Sequence, residues 1–334
     1  MRFSINNHQS LNQQSSTTLQ QQFTLERVSR SLKAHILLIL VTLVWGATFA
    51  EIKDVLDREL TSAMLFNAVR MGFAAFALAL LFQSRGKLRG ISAATLRDGI
   101  IAGAFLWAGY EFQTQGLIYT TPSKSAFLTG VSVVLVPIFL MLFWRKKTNH
   151  WTLLGVAAAF VGLFLLTVPA EAGKPLGDFA SVNRGDLLTL GCAISFGFQI
   201  IFLGHATRRH PFEQIAFLQT ITAATLMFAS VPLIEHAHME FTPRLVAAVA
   251  ITGLLGTAAA FTVQAWAQQF MAATNTALIF ALEPVFAWIT SFIIYGEVLG
   301  WRAGAGAGLI LLGILISELL GHPVENEGAS LATS

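Results

Sequence analysis

The chain has 334 residues, of which 54% are apolar and 12% charged, with a formal charge of +3 and a mean hydropathy of +0.64. A soluble domain carries about 25% charged residues, so this composition cannot coat a globule of such size and excludes a soluble enzyme and a disordered chain. The one cysteine, Cys192, excludes a disulfide scaffold and reads as a small packing residue.

Residues 1–33 are rich in Gln, Ser, Thr and Asn and are expected to form a disordered cytoplasmic tail. They lack the apolar core and small-residue cleavage pattern of a secretory signal. Ten apolar runs follow, near 35–53, 63–83, 98–119, 123–143, 151–168, 186–206, 212–232, 245–268, 274–296 and 301–320. At 1.5 Å per residue each covers a hydrocarbon core of roughly 30 Å. The runs are continuously apolar, where barrel strands would alternate, so an all-α membrane protein of ten transmembrane helices is predicted. Residues 321–334 are expected to form a short cytoplasmic tail.

Basic loops resist export, so their distribution sets orientation. One side collects Arg2, Arg27, Arg30 and Lys33, then Arg85, Lys87, Arg89 and Arg97, then Arg145, Lys146 and Lys147, then Arg208 and Arg209, thirteen in all. The other side has seven: Lys53, Arg58, Lys124, Lys174, Arg184, Arg244 and Arg302. Both termini are therefore expected in the cytoplasm, with the chain in the cell membrane.

The sequence repeats itself. Trp151 is echoed 150 residues later at Trp301, while Tyr110 and Phe261, Gln113 and Gln264, Ser125 and Thr276, and Ala126 and Ala277 stand 151 apart. Two five-helix halves, 35–168 and 186–320, are implied. Five is odd, so the second half enters the membrane from the opposite side, giving inverted repeats around a central cavity.

An ionisable side chain inside a span costs about 2.5–3.5 kcal/mol on insertion scales and needs a reason. Arg70 and Glu111 fall at similar depths from the outer side, and their depth predicts that they meet, paired or water-linked. Glu283 is followed by Pro284, and Pro137 lies in the corresponding span of the first half, so both helices are expected to break near the site. Arg70, Glu111 and Glu283 are the candidates for charge handling, with either glutamate a candidate proton carrier. Gln113, Gln264 and Trp45 are candidate solute contacts, and Gln219 takes the repeat position of Arg70. Ala303 to Gly308 offers a small-residue packing surface. Glu235, His236, His238 and Glu240 have the composition of a metal cluster but no spacing that fixes its geometry, so no metal is predicted. No phosphate loop, metalloprotease helix or nucleophile elbow is present, and no cofactor or nucleic-acid partner is implied.

These residues resemble the EamA-like transporters of the drug/metabolite transporter superfamily over roughly 35–320. The resemblance is carried by Trp45-Gly46-Ala47-Thr48-Phe49 with Lys53, by Arg70, by Tyr119 to Gly130, by Val134-Leu135-Val136-Pro137, by Glu283-Pro284-Val285-Phe286 and by Gly296-Glu297. It implies a secondary transporter that moves a small organic solute, often outward or in exchange, driven by a proton or another coupling ion. Glu111 is not in that signature, and Pro137 stands four residues later than the repeat offset from Pro284 places it. The partners expected are the solute and the lipid bilayer; substrate and oligomeric state are left open. The rival reading is an intramembrane enzyme or receptor subunit without transport, although no nucleophile and base pair is visible.

Overall fold

A computed structural model describes residues 29–48, 51–52, 54–120, 122–168, 182–296 and 300–321. Among them the protein is helical, with an isolated antiparallel bridge between Thr61 and Met239. In chain order the helices are α1 (Ser29–Thr48), α2 (Ala63–Ser84), α3 (Ala93–Leu117), α4 (Pro122–Gly130), α5 (Ser132–Phe143), α6 (His150–Thr167), α7 (Arg184–Thr207) and α8 (Phe212–Ile234). Then come α9 (Pro243–Gly253), a π turn (Leu254–Ala259), α10 (Ala260–Ala267), α11 (Ala273–Phe280), α12 (Glu283–Tyr295) and α13 (Trp301–Leu320). Helix α1 starts at Ser29, six residues before the expected boundary, so 29–33 are its first turn. The rest of the expected N-terminal tail and most of the C-terminal one lie outside the described residues.

Helix starts follow local chemistry. Ser92 accepts from the Thr95 amide, Asn149 from that of Trp151 and Thr242 from that of Leu245, while Asn183 and Asp186 form a reciprocal capping box. Each satisfies backbone donors that have no intrahelical partner.

Among the described residues nine segments are long and apolar enough to cross a membrane. The expectation of ten meets its exception at α3. At 25 residues it is long enough, but Arg97, Asp98, Glu111, Gln113 and Gln115 make it less apolar than its neighbours.

Helices α6 and α13 pack against each other through glycines. A Cβ at Gly162 would stand 2.5 Å from the Gly306 carbonyl oxygen, and one at Gly155 would clash with that of Gly313. Gly155 and Gly306 are 151 residues apart, as are Gly162 and Gly313. The repeat therefore maps one contact onto the other, and the two copies of this helix run antiparallel. Only part of the small-residue stripe takes part, since Gly304 and Gly308 have nothing within 4 Å of an added Cβ.

The broken helices obey the same offset. The break between α4 and α5 falls at Val131, and that between α11 and α12 at Ala281 and Leu282; Val131 and Leu282 are 151 residues apart. Pro284 opens α12, but Pro137 lies inside α5, which continues through it to Phe143. The expected inequivalence of the breaks is thus corrected: the prolines differ in position and the interruptions do not. Gly130, a poor helix former, ends α4 at the break.

Candidate functional site

The halves also meet where α3 packs on α7 and α8 and where α2 packs on α8, α9 and the π turn. A Cβ at Gly103 in α3 would lie 2.6 Å from the Gln219 carbonyl oxygen, and one at Gly253 in α9 would lie 3.2 Å from that of Arg70. Gly103 and Gly253 are 150 residues apart, and Arg70 and Gln219 are 149. The close approach brings the Arg70 and Gln219 levels to the centre of the molecule. Above it, aromatic pairs repeat the relation, with Trp45 against Phe261 at 5.8 Å and Phe196 against Tyr110 at 5.6 Å between ring centroids. Adding 151 to Trp45 gives Phe196, and subtracting it from Phe261 gives Tyr110.

Around this crossing the side chains break the symmetry. Arg70 is 6% exposed, and its guanidinium carbon lies 4.8 Å from the centre of the Tyr110 ring. Its Nε is buried and has no hydrogen-bond partner. Glu283, the first residue of α12, lies within electrostatic reach of Arg70, Tyr110 and Cys192. Among the described residues no ion pair within 4.0 Å joins it to Arg70. The Gln113 amide donates to the Thr129 hydroxyl at 3.4 Å, which is 3.7 Å from the Cys192 sulfur. A buried cation whose Nε has no partner thus stands against a half-buried phenol and near a half-buried carboxylate, with the Gln113 amide three residues along α3 from Tyr110.

The other half fills the equivalent position differently. The Gln264 amide donates to Gln199 at 3.2 Å and that of Gln199 to Gln219 at 3.1 Å, all three buried. Gln264 therefore belongs to an amide chain across α7, α8 and α10 whose two end atoms, Gln264 Oε1 and Gln219 Nε2, are buried without a partner. Trp45 donates its indole N–H to the Gly256 carbonyl at 2.8 Å, a carbonyl in the π turn, and turns its ring edge to Phe280 at 5.0 Å. Its polar atom is engaged, so what it offers the centre is ring surface.

Glu111 does not meet Arg70. It lies on the face of α3 turned to α8, where its Oε2 accepts from the Ser230 hydroxyl at 3.1 Å, with the Trp107 indole N–H 3.4 Å from that hydroxyl. Its other oxygen is buried without a partner. Tyr110, adjacent in sequence, takes the place beside Arg70; the sequence marks it only as the repeat counterpart of Phe261.

Three further clusters explain polar residues near the helix ends. Lys124 pairs with Asp186 at 2.6 Å, both buried, and Asp186 also accepts from Thr120 at 2.7 Å. Asn275 and His35, each 151 residues from Lys124 or Asp186, both reach Glu318, at 2.7 and 2.6 Å. Glu235 caps α2, accepting from the Ser62 hydroxyl and the Leu65 amide at 2.7 Å and from the Met64 amide at 3.2 Å. Its neighbour His238 contacts the Glu59 carbonyl at 3.0 Å. Among the described residues no group of three His, Cys, Asp or Glu side chains is placed to hold a metal.

A multi-pass helical membrane protein with a partly unsatisfied polar centre is the class this geometry defines. The profile of the EamA-like transporter family matches residues 32–168 and again 183–319, and the chain belongs to that family. A protein of Archaeoglobus fulgidus named as an uncharacterized transporter is 33% identical over 301 residues, 90% of each chain. The Bacillus subtilis uncharacterized transporter YcxC is 23% identical over 308 residues, 86% of this chain and 93% of its own. A solved crystal structure aligns with a TM-score of 0.71 over 87% of this chain and 99% of that one, at 14% identity, a likeness of fold.

Proposed function

We propose that the protein is a secondary transporter whose two inverted five-helix halves, 35–168 and 186–320, rock about the Arg70, Tyr110 and Glu283 cluster. In this reading α3 is the third of ten spans, and both termini are on the cytoplasmic side of the cell membrane. The cargo is a small polar or amphipathic organic solute, moved outward or in exchange and coupled to a proton. The observation that carries the reading is Arg70, 6% exposed and with an unpaired Nε, facing an opposite charge that it does not contact. A buried charge left in that condition costs several kcal/mol unless water or a polar ligand completes it. Gln113, three residues along α3 from Tyr110, supplies a neutral donor and acceptor, and the amide chain of Gln264, Gln199 and Gln219 offers two more buried atoms without partners, Gln264 Oε1 and Gln219 Nε2. Helix breaks at equivalent positions in the two halves support a site at this level.

Flux of a metabolite panel from proteoliposomes, with and without a pH gradient, tests it. The active solute should slow at least about tenfold in Arg70→Gln, the loss of one hydrogen bond to a charged group. In Glu283→Gln flux should lose its response to the gradient. If no solute moves, or both variants behave as the wild type, the reading fails.

A further inference from the structure

A second site lies away from the centre, at the ends of α5 and α7. Helices α3 and α5 both pack on α7, and the surface between them is walled by rings. Phe105 of α3 stacks on Phe198 at 5.2 Å and on Phe202 at 5.3 Å. Phe139 of α5 stacks on Phe198 at 4.5 Å with the planes 9° apart. Trp144 meets Phe202 edge-on at 5.7 Å, and Phe143, 59% exposed, extends the wall outward. The wall leads to a cavity of about 50 Å³ lined by Trp144, Lys146, His205, Arg208 and the start of α11. That is room for a few waters and hence for a phosphate group.

The inverted repeat supplies the comparison. Residues 151 away from Phe198, Phe139 and Phe105 are Ala47, Thr290 and Gly256, so the stacked rings exist in one half alone, while Trp144 answers to Tyr295. Those 151 away from Lys146, His205 and Arg208 are Glu297, Asp54 and Asp57. Packing common to both halves therefore does not require the rings. Retention of basic loops on one side does not require acids at the counterpart positions, since acidic residues contribute little to orientation. We infer that this groove holds an anionic phospholipid, its acyl chain against the Phe105, Phe198 and Phe143 rings and its phosphate at Lys146 and Arg208. Charge complementarity and a wall that continues from the cavity into the hydrocarbon favour a lipid over a soluble anion. In the orientation proposed above the lipid belongs to the cytoplasmic leaflet.

The full chain in nanodiscs, which expose both faces, tests this independently of orientation and of transport. Native mass spectrometry should show phosphatidylglycerol retained in preference to phosphatidylcholine. Brominated phosphatidylglycerol should quench a component of tryptophan fluorescence that Trp144→Phe removes. Loss of one cation at the surface, Lys146→Gln, should weaken retention about fivefold, and Lys146→Arg should restore it. Phe143→Ala should shorten retention of both lipids without changing the preference between them. Equal retention of the two lipids, quenching that Trp144→Phe leaves undiminished, or a Lys146→Gln variant indistinguishable from wild type overturns the proposal. So does inorganic phosphate displacing the lipid while Phe143→Ala has no effect, which would mark a soluble-anion site.

Discussion

Glu235 shows how far one side chain's surroundings change its meaning. Beside His236, His238 and Glu240 it has the look of a metal ligand, yet its two oxygens take three donors at the start of α2. A carboxylate at a helix N-terminus satisfies orphan amides and complements the dipole. Glu235→Ala is expected to cost about 1–2 kcal/mol, read as a lower unfolding temperature in detergent, and to leave the solute KM unchanged. An altered KM at unchanged stability would mean that the loop serves the solute. Arg70 and Glu283 were legible from the sequence because charge inside an apolar run stands out. The partner of Arg70 was not, since depth fixes a level along the helix and leaves azimuth open. Tyr110 and Glu111 are one residue apart and about 100° around the helix, enough to send one to Arg70 and the other to Ser230.

At the scale of elements, a single methyl group separates tolerated from disruptive changes in the glycine-rich α13. Gly162→Ala in its partner α6 sets a Cβ 2.5 Å from a backbone oxygen of α13, and backbone cannot give way as a side chain tip can. Overpacking of this kind costs about 1–3 kcal/mol. Gly304→Ala meets nothing within 4 Å and should be neutral or stabilising by up to about 1 kcal/mol through helix propensity. Paired unfolding measurements check both signs. The breaks separate the prolines likewise. Val131 interrupts the helix six residues before Pro137, so Pro137→Ala should keep flux near the wild-type rate. Pro284→Ala restores an amide next to the break at Leu282 and should straighten the α11–α12 junction, with loss of flux. Equal effects of the two would contradict this assignment. The sequence pointed to two interrupted helices but misplaced one interruption, because proline is a visible signal and a glycine-ended turn is a faint one.

For the whole molecule, the repeat was readable from the matched residues and the charge pattern, and the antiparallel glycine contacts of α6 and α13 follow the same offset. What the chain alone did not reveal is which polar atoms are left over at the centre: Arg70 Nε on one side, and Gln264 Oε1 and Gln219 Nε2 at the ends of an amide chain on the other. Offsets match positions and are silent on which polar atoms find partners. The orientation argued from basic residues can be checked by single cysteines in a Cys192→Ala background. Ser84→Cys, at the end of α2, should react with a membrane-impermeant maleimide only after cells are opened, and Glu240→Cys should react in intact cells. The reverse pattern would invert the topology and move the lipid groove to the outer leaflet.

The turn between α9 and α10 explains an irregularity in the spacing. Gly103 and Gly253, just before it, differ by 150, whereas Tyr110 and Phe261, just after it, differ by 151. One supernumerary residue has been swallowed between them, and a single wide i→i+5 loop is how a helix absorbs it without rotating everything downstream. The surplus leaves the Gly256 carbonyl turned outward, where the Trp45 indole takes it. A one-residue mismatch between the halves has thereby become the anchor of an aromatic side chain.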